Sequence, residues 1–365
     1  LNDTKNNRLN DSATNCWSMR SPSAGQVEEP FSARFRPGRS GRQNPDAAVL
    51  IEGLRMSQHT GREFEHRPVM VDEIVAWLEP VPPGVSVDAT VGGGGHAAAI
   101  LTAYPHLSLV GFDQDGVALE AAARALAGFG DRVIALHHAR FDRLAELVTS
   151  PVSAVVFDLG ISSPQIDWPE RGFSYMGDGP LDMRMDQRQA LTAAAVVNSY
   201  TEAKLASLFA DSGDRRLARR IAAAVVAARP LETTSQLANV VAAAVPAPAR
   251  RRGHPAKRVF QALRIEVNRE LDVLPAAVDA AIDLLAPGGR CIVLAYHSGE
   301  DRLVKDRFLN AATGGCTCPP NLPCVCGATP TVKLLTRGAR KAGAAEIAAN
   351  RRAESARLRG VEKLA

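Results

Sequence analysis

Between Val85 and Ala99 the chain runs VSVDATVGGGGHAAA, which is an apolar run, an acid, four glycines and the start of an alanine-rich stretch. Glycines after a buried strand let the backbone turn tightly and bring a ligand close to the N-terminus of the helix that follows. Gly92, Gly94 and Ala97 satisfy G-x-G-x-x-A, so an NAD site is one reading of the loop. The next apolar run ends in Gly111-Phe112-Asp113, where a carboxylate can accept hydrogen bonds from both hydroxyls of an adenosine ribose. That acid suits a nicotinamide cofactor and other adenosine cofactors alike.

The readings diverge downstream. A nicotinamide-dependent oxidoreductase calls for a catalytic His or a Tyr-Lys arrangement, whereas here the fourth apolar run enters Asp158-Leu159-Gly160-Ile161-Ser162-Ser163-Pro164-Gln165. An acid followed by small polar residues and proline suits methylation of an amine, a reaction helped mainly by orientation and by acceptors for the charge that develops. Asp158, assisted by Ser162 or Ser163, is the candidate for that work.

Other clusters carry weaker signals. Arg250, Arg251, Arg252, Lys257 and Arg258 bracket His254, and Arg215, Arg216, Arg219 and Arg220 share one stretch. Phosphate neutralisation needs such clusters, although a charged run is as often a solvated face. His297, Glu300, Asp301 and Arg302 either shape a base pocket or cap a helix, and Asp182, Arg184 and Asp186 either meet RNA or anchor their segment. Cys316, Cys318, Cys324 and Cys326 lie in CTCPPNLPCVC as two Cys-x-Cys pairs. Four thiolates could hold Zn²⁺, but one residue between ligands makes a strained chelate, so the expectation is thiols in a surface loop, or redox-labile pairs, with no metal.

These residues need elements to position them. The 365 residues are 46% hydrophobic and 22% charged, which excludes wholesale disorder and a fibrous repeat. The net charge of +4 is too small to identify a nucleic-acid partner by itself. No apolar run approaches the roughly 18 residues of a membrane span, and no secretory-signal layout opens the chain, so the cytoplasm is expected. From Pro68, short β-rich runs alternate with Ala-rich helical stretches, the pattern of a parallel sheet with crossover helices. Strands are expected at Val85–Ala89, Leu107–Phe112, Arg132–Leu136, Ala154–Phe157 and Arg290–Ala295, with one more at Thr331–Leu335. The long interval before Arg290 is helical in spacing and predicts an inserted subdomain, with one of its helices over Arg258–Val273. The division expected is a disordered leader over 1–62, a core over 63–168, a helical insertion over 169–275, and the rest of the core over 276–365. That last part carries the Cys-rich loop and a basic tail.

Six ordered blocks carry a resemblance over about His66 to Arg359. They are HRPVM, DATVGGGGH, DLGISSPQIDWPERGFSYMGDGPLDMRMD, HPAKRVFQALRIEVNREL, YHSGEDRLVK and NRRAESARLR. Together they resemble the bacterial 16S rRNA cytosine-N4 methyltransferases, the MraW or RsmH family. The resemblance implies an α/β fold, a class I S-adenosylmethionine-dependent methyltransferase (Rossmann-like) with an inserted all-helical domain. It also implies S-adenosyl-L-methionine as methyl donor and a decoding-centre cytidine of 16S rRNA as substrate, met within the small ribosomal subunit. No membrane partner is expected, and a homodimer is compatible with it. The family's cofactor contacts would fall on Gly94, Gly95, His96, Asp113, Phe141, Asp158 and Gln165, and the reaction calls for no metal. Departures from the family pattern stand at Gly299, at Lys257 and after Asn350, away from those contacts. The competing readings are a nicotinamide-dependent oxidoreductase and a non-catalytic RNA-binding ribosome assembly factor.

Overall fold

The computed structural model describes residues 68–149, 151–211, 215–247, 254–319 and 325–365. The expected leader, the expected phosphate-binding residues Arg250, Arg251 and Arg252, and Cys324 lie outside the described residues. Among those described, the strands are β1 Gly84–Asp88, β2 Leu107–Asp113, β3 Val133–His138, β4 Val152–Asp158, β5 Leu285–Ala295, β6 Val332–Leu334 and β7 Arg357–Lys363. They form one sheet in the order β3-β2-β1-β4-β5-β7-β6. The first five are parallel, and β7 runs antiparallel to both β5 and β6. The winding direction reverses between β1 and β4, and open α/β sheets bind ligands in the crevice at such a point.

Both faces of the sheet centre are covered, so its strands are nearly continuous apolar runs. Along β4, Ala154 and Val156 point to one face while Val155 and Phe157 point to the other. Helix α1 (Val71–Leu78) covers the first face through Ile74 and Leu78. Helices α2 (Gly95–Ala103) and α3 (Gly116–Leu126) meet through Ala97, Leu101, Leu119, Ala122 and Leu126. Two short helices follow, α4 (Leu144–Leu147) and α5 (Ser163–Asp167).

Between α5 and β5 the chain forms α6 (Ala193–Ser199), α7 (Glu202–Asp211), α8 (Arg215–Ala227), α9 (Thr234–Ala244) and α10 (Ala256–Asn268). These helices bury a separate core that includes Val196, Leu205, Ile221, Val225, Leu237, Val241 and Phe260. In α8 the buried Ala218, Ile221, Ala222 and Val225 recur at helical spacing, leaving Arg215, Arg216, Arg219 and Arg220 exposed.

The helix expected over Arg258–Val273 is two helices. Arg269 adopts the left-handed conformation (φ 53°, ψ 36°), which ends α10 and starts α11 (Glu270–Leu284) at a new angle. The Arg264 guanidinium braces this joint by pairing with both oxygens of Glu270, at 2.8 Å each. Leu274, Ala277, Val278, Ala281 and Ile282 of α11 pack on the second sheet face beside Val304 and Phe308 of α12 (Ser298–Thr313). The expected boundary at residue 275 therefore runs through a helix of the sheet layer.

The basic tail is corrected more strongly. After the short helix α13 (Ala344–Ala349), residues 357–363 form β7 between β5 and β6. Leu358 and Val361 are fully buried, while Arg359 pairs with Asp301 at 2.7 Å and Glu362 pairs with Arg290 and Lys333 at 2.6 Å each. The arginines that made the segment look like a tail are the satisfied polar face of an interior strand. Leu358→Ala is accordingly expected to cost about 2–5 kcal/mol in denaturant unfolding. An unchanged midpoint would contradict an interior β7.

Candidate active site

A cavity of about 570 Å³ opens at the carboxyl ends of β1, β2, β4 and β5 and is bounded on its other side by Lys257, Phe260, Gln261 and Arg264 of α10. That volume lies in the usual range for small-molecule sites. The glycine loop forms its floor. Gly92 (φ 52°) and Gly94 (φ 85°) take left-handed conformations that side chains disfavour, which lets the chain reverse into α2 within a few residues.

Asp113, at the end of β2, accepts hydrogen bonds from the Gly92 amide at 2.9 Å and the Asp115 amide at 2.8 Å. Burial pushes its carboxyl up to about 7; the nearby Asp115 charge adds to this, and the two amides oppose it. The strand-end position and cavity exposure fit the ribose-binding role expected of it. Phe141 also lines the cavity, 8% exposed and held edge-on by Phe157 with ring centroids 5.7 Å apart. Its aromatic surface fits contact with an adenine.

Asp158 stands across the switch point. Its amide donates to Thr90 Oγ1 at 2.6 Å, joining the ends of β4 and β1. The Tyr296 hydroxyl donates to Asp158 Oδ1 at 2.8 Å, and His96 Nδ1 lies 3.5 Å from Oδ2. His96 is fixed in turn, because its Nε2 donates to the Val69 carbonyl at 2.9 Å. Below them, burial raises the Asp88 carboxyl to about 6; His96 and the Thr90 amide oppose this and the Asp158 charge adds to it. Burial also raises the Tyr296 phenol well above its usual range, and the neighbouring Asp158 reinforces that effect, so the hydroxyl stays a donor.

Ser162 begins α5, and its amide donates to Gln165 Oε1 at 3.0 Å. Its Oγ is buried and has no hydrogen-bond partner among the described residues, although Ser162 lines the cavity. Gln165 also lines the cavity while its Nε2 donates to Asp115 Oδ2 at 2.8 Å. Asp115 is paired with Arg171 at 2.8 Å, and Arg171 donates to the carbonyls of Arg184 and Met185. This buried chain of contacts fastens the PLDMRMD segment to the cofactor loops. Asp182 and Asp186 are occupied by Arg184 and Arg188, which answers to the anchoring reading of that segment.

Several candidates do not reach the cavity. Gly94 turns its α-carbon toward α3, where a Cβ would lie 3.3 Å from Ala122 Cα, so it serves the turn and helix packing. Ser163 is one step around α5 from Ser162 and meets the Arg352 guanidinium instead. Arg258 is exposed outside the lining, whereas its neighbour Lys257 belongs to it.

Tyr296, Thr90 and Arg352 were missed as site residues. The signal for Tyr296 was its place just past the carboxyl end of β5, beside a glycine of unusual conformation. Gly160 has φ 105°, and a Cβ there would lie 3.3 Å from the Tyr296 ring. Arg352 comes from the expected tail and had no local signal. His297 and Glu300 answer to the helix-capping reading. The His297 ring accepts from the Gly299 amide at 3.1 Å and caps α12, and both residues line the cavity.

The donor set fits an adenosine cofactor carrying a cationic centre. Asp113 offers a diol acceptor and Phe141 a ring face, while Asp158 stands beside His96 in the first turn of α2 and Ser162 lines the same cavity. A pyrophosphate would face the Asp158 carboxylate there. Five parallel strands with an antiparallel strand set between β5 and β6, together with this site, define a class I S-adenosylmethionine-dependent methyltransferase.

The chain belongs to the MraW methylase family, whose profile matches residues 63–364. It is 47% identical over 312 residues to the ribosomal RNA small subunit methyltransferase H of Heliobacterium modesticaldum, covering 82% of this chain and 99% of that protein. The proteins of the same name from Acidothermus cellulolyticus and Frankia alni are 52% and 50% identical. Each match covers 82% of this chain, and 94% and 95% of the relative respectively. The nicotinamide reading has no support in these relationships.

The Asp113 position makes affinity depend on pH. A ribose diol favours the ionised acceptor, so cofactor affinity is expected to rise as pH climbs through about 7 and then level off. Well below that value it should fall up to about tenfold per pH unit. Calorimetric titration of Asp113→Asn should show weaker binding with this pH dependence removed, and a flat profile in the parent protein would contradict the assignment.

Proposed function

We propose that the chain transfers a methyl group from S-adenosylmethionine to the exocyclic N4 amine of a cytidine in the decoding centre of 16S rRNA. It acts in the cytoplasm on the small ribosomal subunit. Family membership and the names of its relatives support the reaction and substrate class. The observation that carries the chemistry is Asp158, whose amide is tied to Thr90 beyond β1 and whose carboxylate is held by His96 of α2 and by Tyr296, yet which is 14% exposed in the cavity that α10 bounds. No helix among the described residues is long and apolar enough to cross a membrane.

A cytosine amine is a poor nucleophile because its lone pair is delocalised into the ring. When bound, the cofactor supplies an electrophilic sulfonium methyl. The protein's task is then to orient the amine and stabilise the positive charge it gains. Asp158 accepts a hydrogen bond from the amine, while Tyr296 and His96 fix the carboxylate's direction. Ser162 Oγ offers a second polar contact. Asp113, Phe141 and the backbone at Gly92 and Gly95 hold the cofactor's adenosine and methionine portions.

The RNA side is the helical insertion, for which residues 169–275 mark the expected extent. Lys257 projects from α10 at the cavity, with Arg258 exposed beside it. Tyr175 stacks on His254 at 4.6 Å and, with the exposed Met176, offers apolar surface at the same cavity. Arg250, Arg251 and Arg252 add positive charge to the connection just before α10.

The direct test incubates unmethylated small subunits with the protein and methyl-labelled cofactor, then analyses the rRNA nucleosides by mass spectrometry. Labelled N4-methylcytidine is expected. RNA binding without label would leave the assembly-factor reading, and label on another base would refute the assignment. Asp158→Asn should lower kcat by about 100-fold or more while cofactor affinity changes only a few-fold. Replacing Lys257 and Arg258 together with alanine should weaken RNA binding and reduce the salt slope by about 1.5; an unchanged slope would place both residues outside the interface.

A further inference from the structure

The Cys-rich loop lies far from the methyl-transfer site. α12 starts at the cavity, beside the carboxyl end of β5, and its 16 residues carry the chain roughly 24 Å toward the opposite edge of the sheet. There the helix ends in two glycines with positive φ, Gly314 at 61° and Gly315 at 73°. The returning chain crosses directly over them: a Cβ at Gly314 would lie 2.5 Å from the Thr329 backbone, and the Thr331 amide donates to the Ala311 carbonyl at 3.0 Å. Both ends of the loop are thus fastened to one helix end.

This closure brings sulfurs together from the two sides of the loop. The Sγ atoms of Cys316, Cys318 and Cys326 all lie within 4.8 Å of one another, with Cys316 and Cys326 at 3.6 Å. A tetrahedral Zn²⁺ with Zn–S near 2.3 Å places its sulfurs about 3.8 Å apart. The Cys316–Cys326 approach joins residues ten apart in the chain, so the cluster does not rest on the Cys-x-Cys pair alone. Few apolar groups share the loop, and Val325 beside the cluster is 88% exposed, so side-chain packing does not account for the convergence. Three thiol groups converging on a polar surface suit a soft cation.

We propose that Cys316, Cys318 and Cys326 bind one structural Zn²⁺ that clamps the connection between α12 and β6, remote from methyl transfer. Binding displaces the thiol protons to solvent, and the three thiolates coordinate the ion with no redox change.

The test is metal analysis of the full chain purified under reducing conditions without chelator, and again after addition of zinc alone. About one zinc per chain is expected in at least the second preparation. Substituting Co²⁺ should produce thiolate-to-cobalt charge-transfer absorption in the near ultraviolet. Cys318→Ser should lose that absorption and most of the zinc while its far-ultraviolet circular dichroism and cofactor affinity stay close to the parent's. Should that variant fail to fold, the metal content and cobalt spectrum of the parent decide the matter. The absence of zinc after reconstitution, a Cys316–Cys326 disulfide in metal-free protein as isolated, or full zinc retention by folded Cys318→Ser would each overturn the proposal.

Discussion

A carboxylate at the end of an interior strand must be held and partnered, and the Asp158 carboxylate sets the terms for the architecture around it. Three separate segments hold this residue. Thr90, just past β1, accepts from the Asp158 amide, while His96 in the first turn of α2 and Tyr296 at the end of β5 meet its carboxylate. Each can reach Asp158 only because the winding of the sheet reverses between β1 and β4, which opens a crevice where those segments converge. Gly160 is part of the same solution. Its positive φ turns the chain away immediately after Asp158 and leaves room for the Tyr296 ring.

The second constraint is that the helices between α5 and β5 must keep their register with this carboxylate. The contacts from Gln165 through Asp115 to Arg171 are buried and fully polar, an arrangement that is costly unless every member is paired. Arg171 then holds backbone carbonyls of the segment leading to α6. On the other flank, Arg264 and Glu270 fix the angle between α10, which faces the cavity, and α11, which belongs to the sheet layer. Removing one partner from either pair would leave a largely buried charge without its counter-charge, which is destabilising. These two joints set a helical layer with its own core against the cavity built on the sheet.

Much of this was legible in the sequence because the decisive residues have restrictive chemistry. Strand, acid and glycines at Val85–Gly95, the strand-end Asp113 and the Asp158 block all lie where the fold puts ligand-facing residues. Finer choices were not legible. Which glycine faces a ligand depends on φ, and Gly94 faces α3. Which of two adjacent serines enters the cavity depends on helix phase, and that separates Ser162 from Ser163. The tail failed for a different reason: in RLRGVEK the charges dominate composition, while only two-residue alternation reveals the strand, and seven residues give that signal little weight. Tyr296 was hidden because an aromatic residue at a strand end is ordinarily core, and its role follows from a contact with a residue 138 positions away.

The central claim is that Tyr296 acts through Asp158 to fix the acceptor at the methyl-transfer centre. A double-mutant cycle on kcat for rRNA methylation tests this most directly, using Asp158→Asn, Tyr296→Phe and the pair together. Tyr296→Phe alone should slow turnover by about 2–10-fold, the worth of one hydrogen bond, and should have almost no further effect once Asp158 is changed. Effects that simply multiply in the double variant would show that the two residues act independently, and would contradict the account.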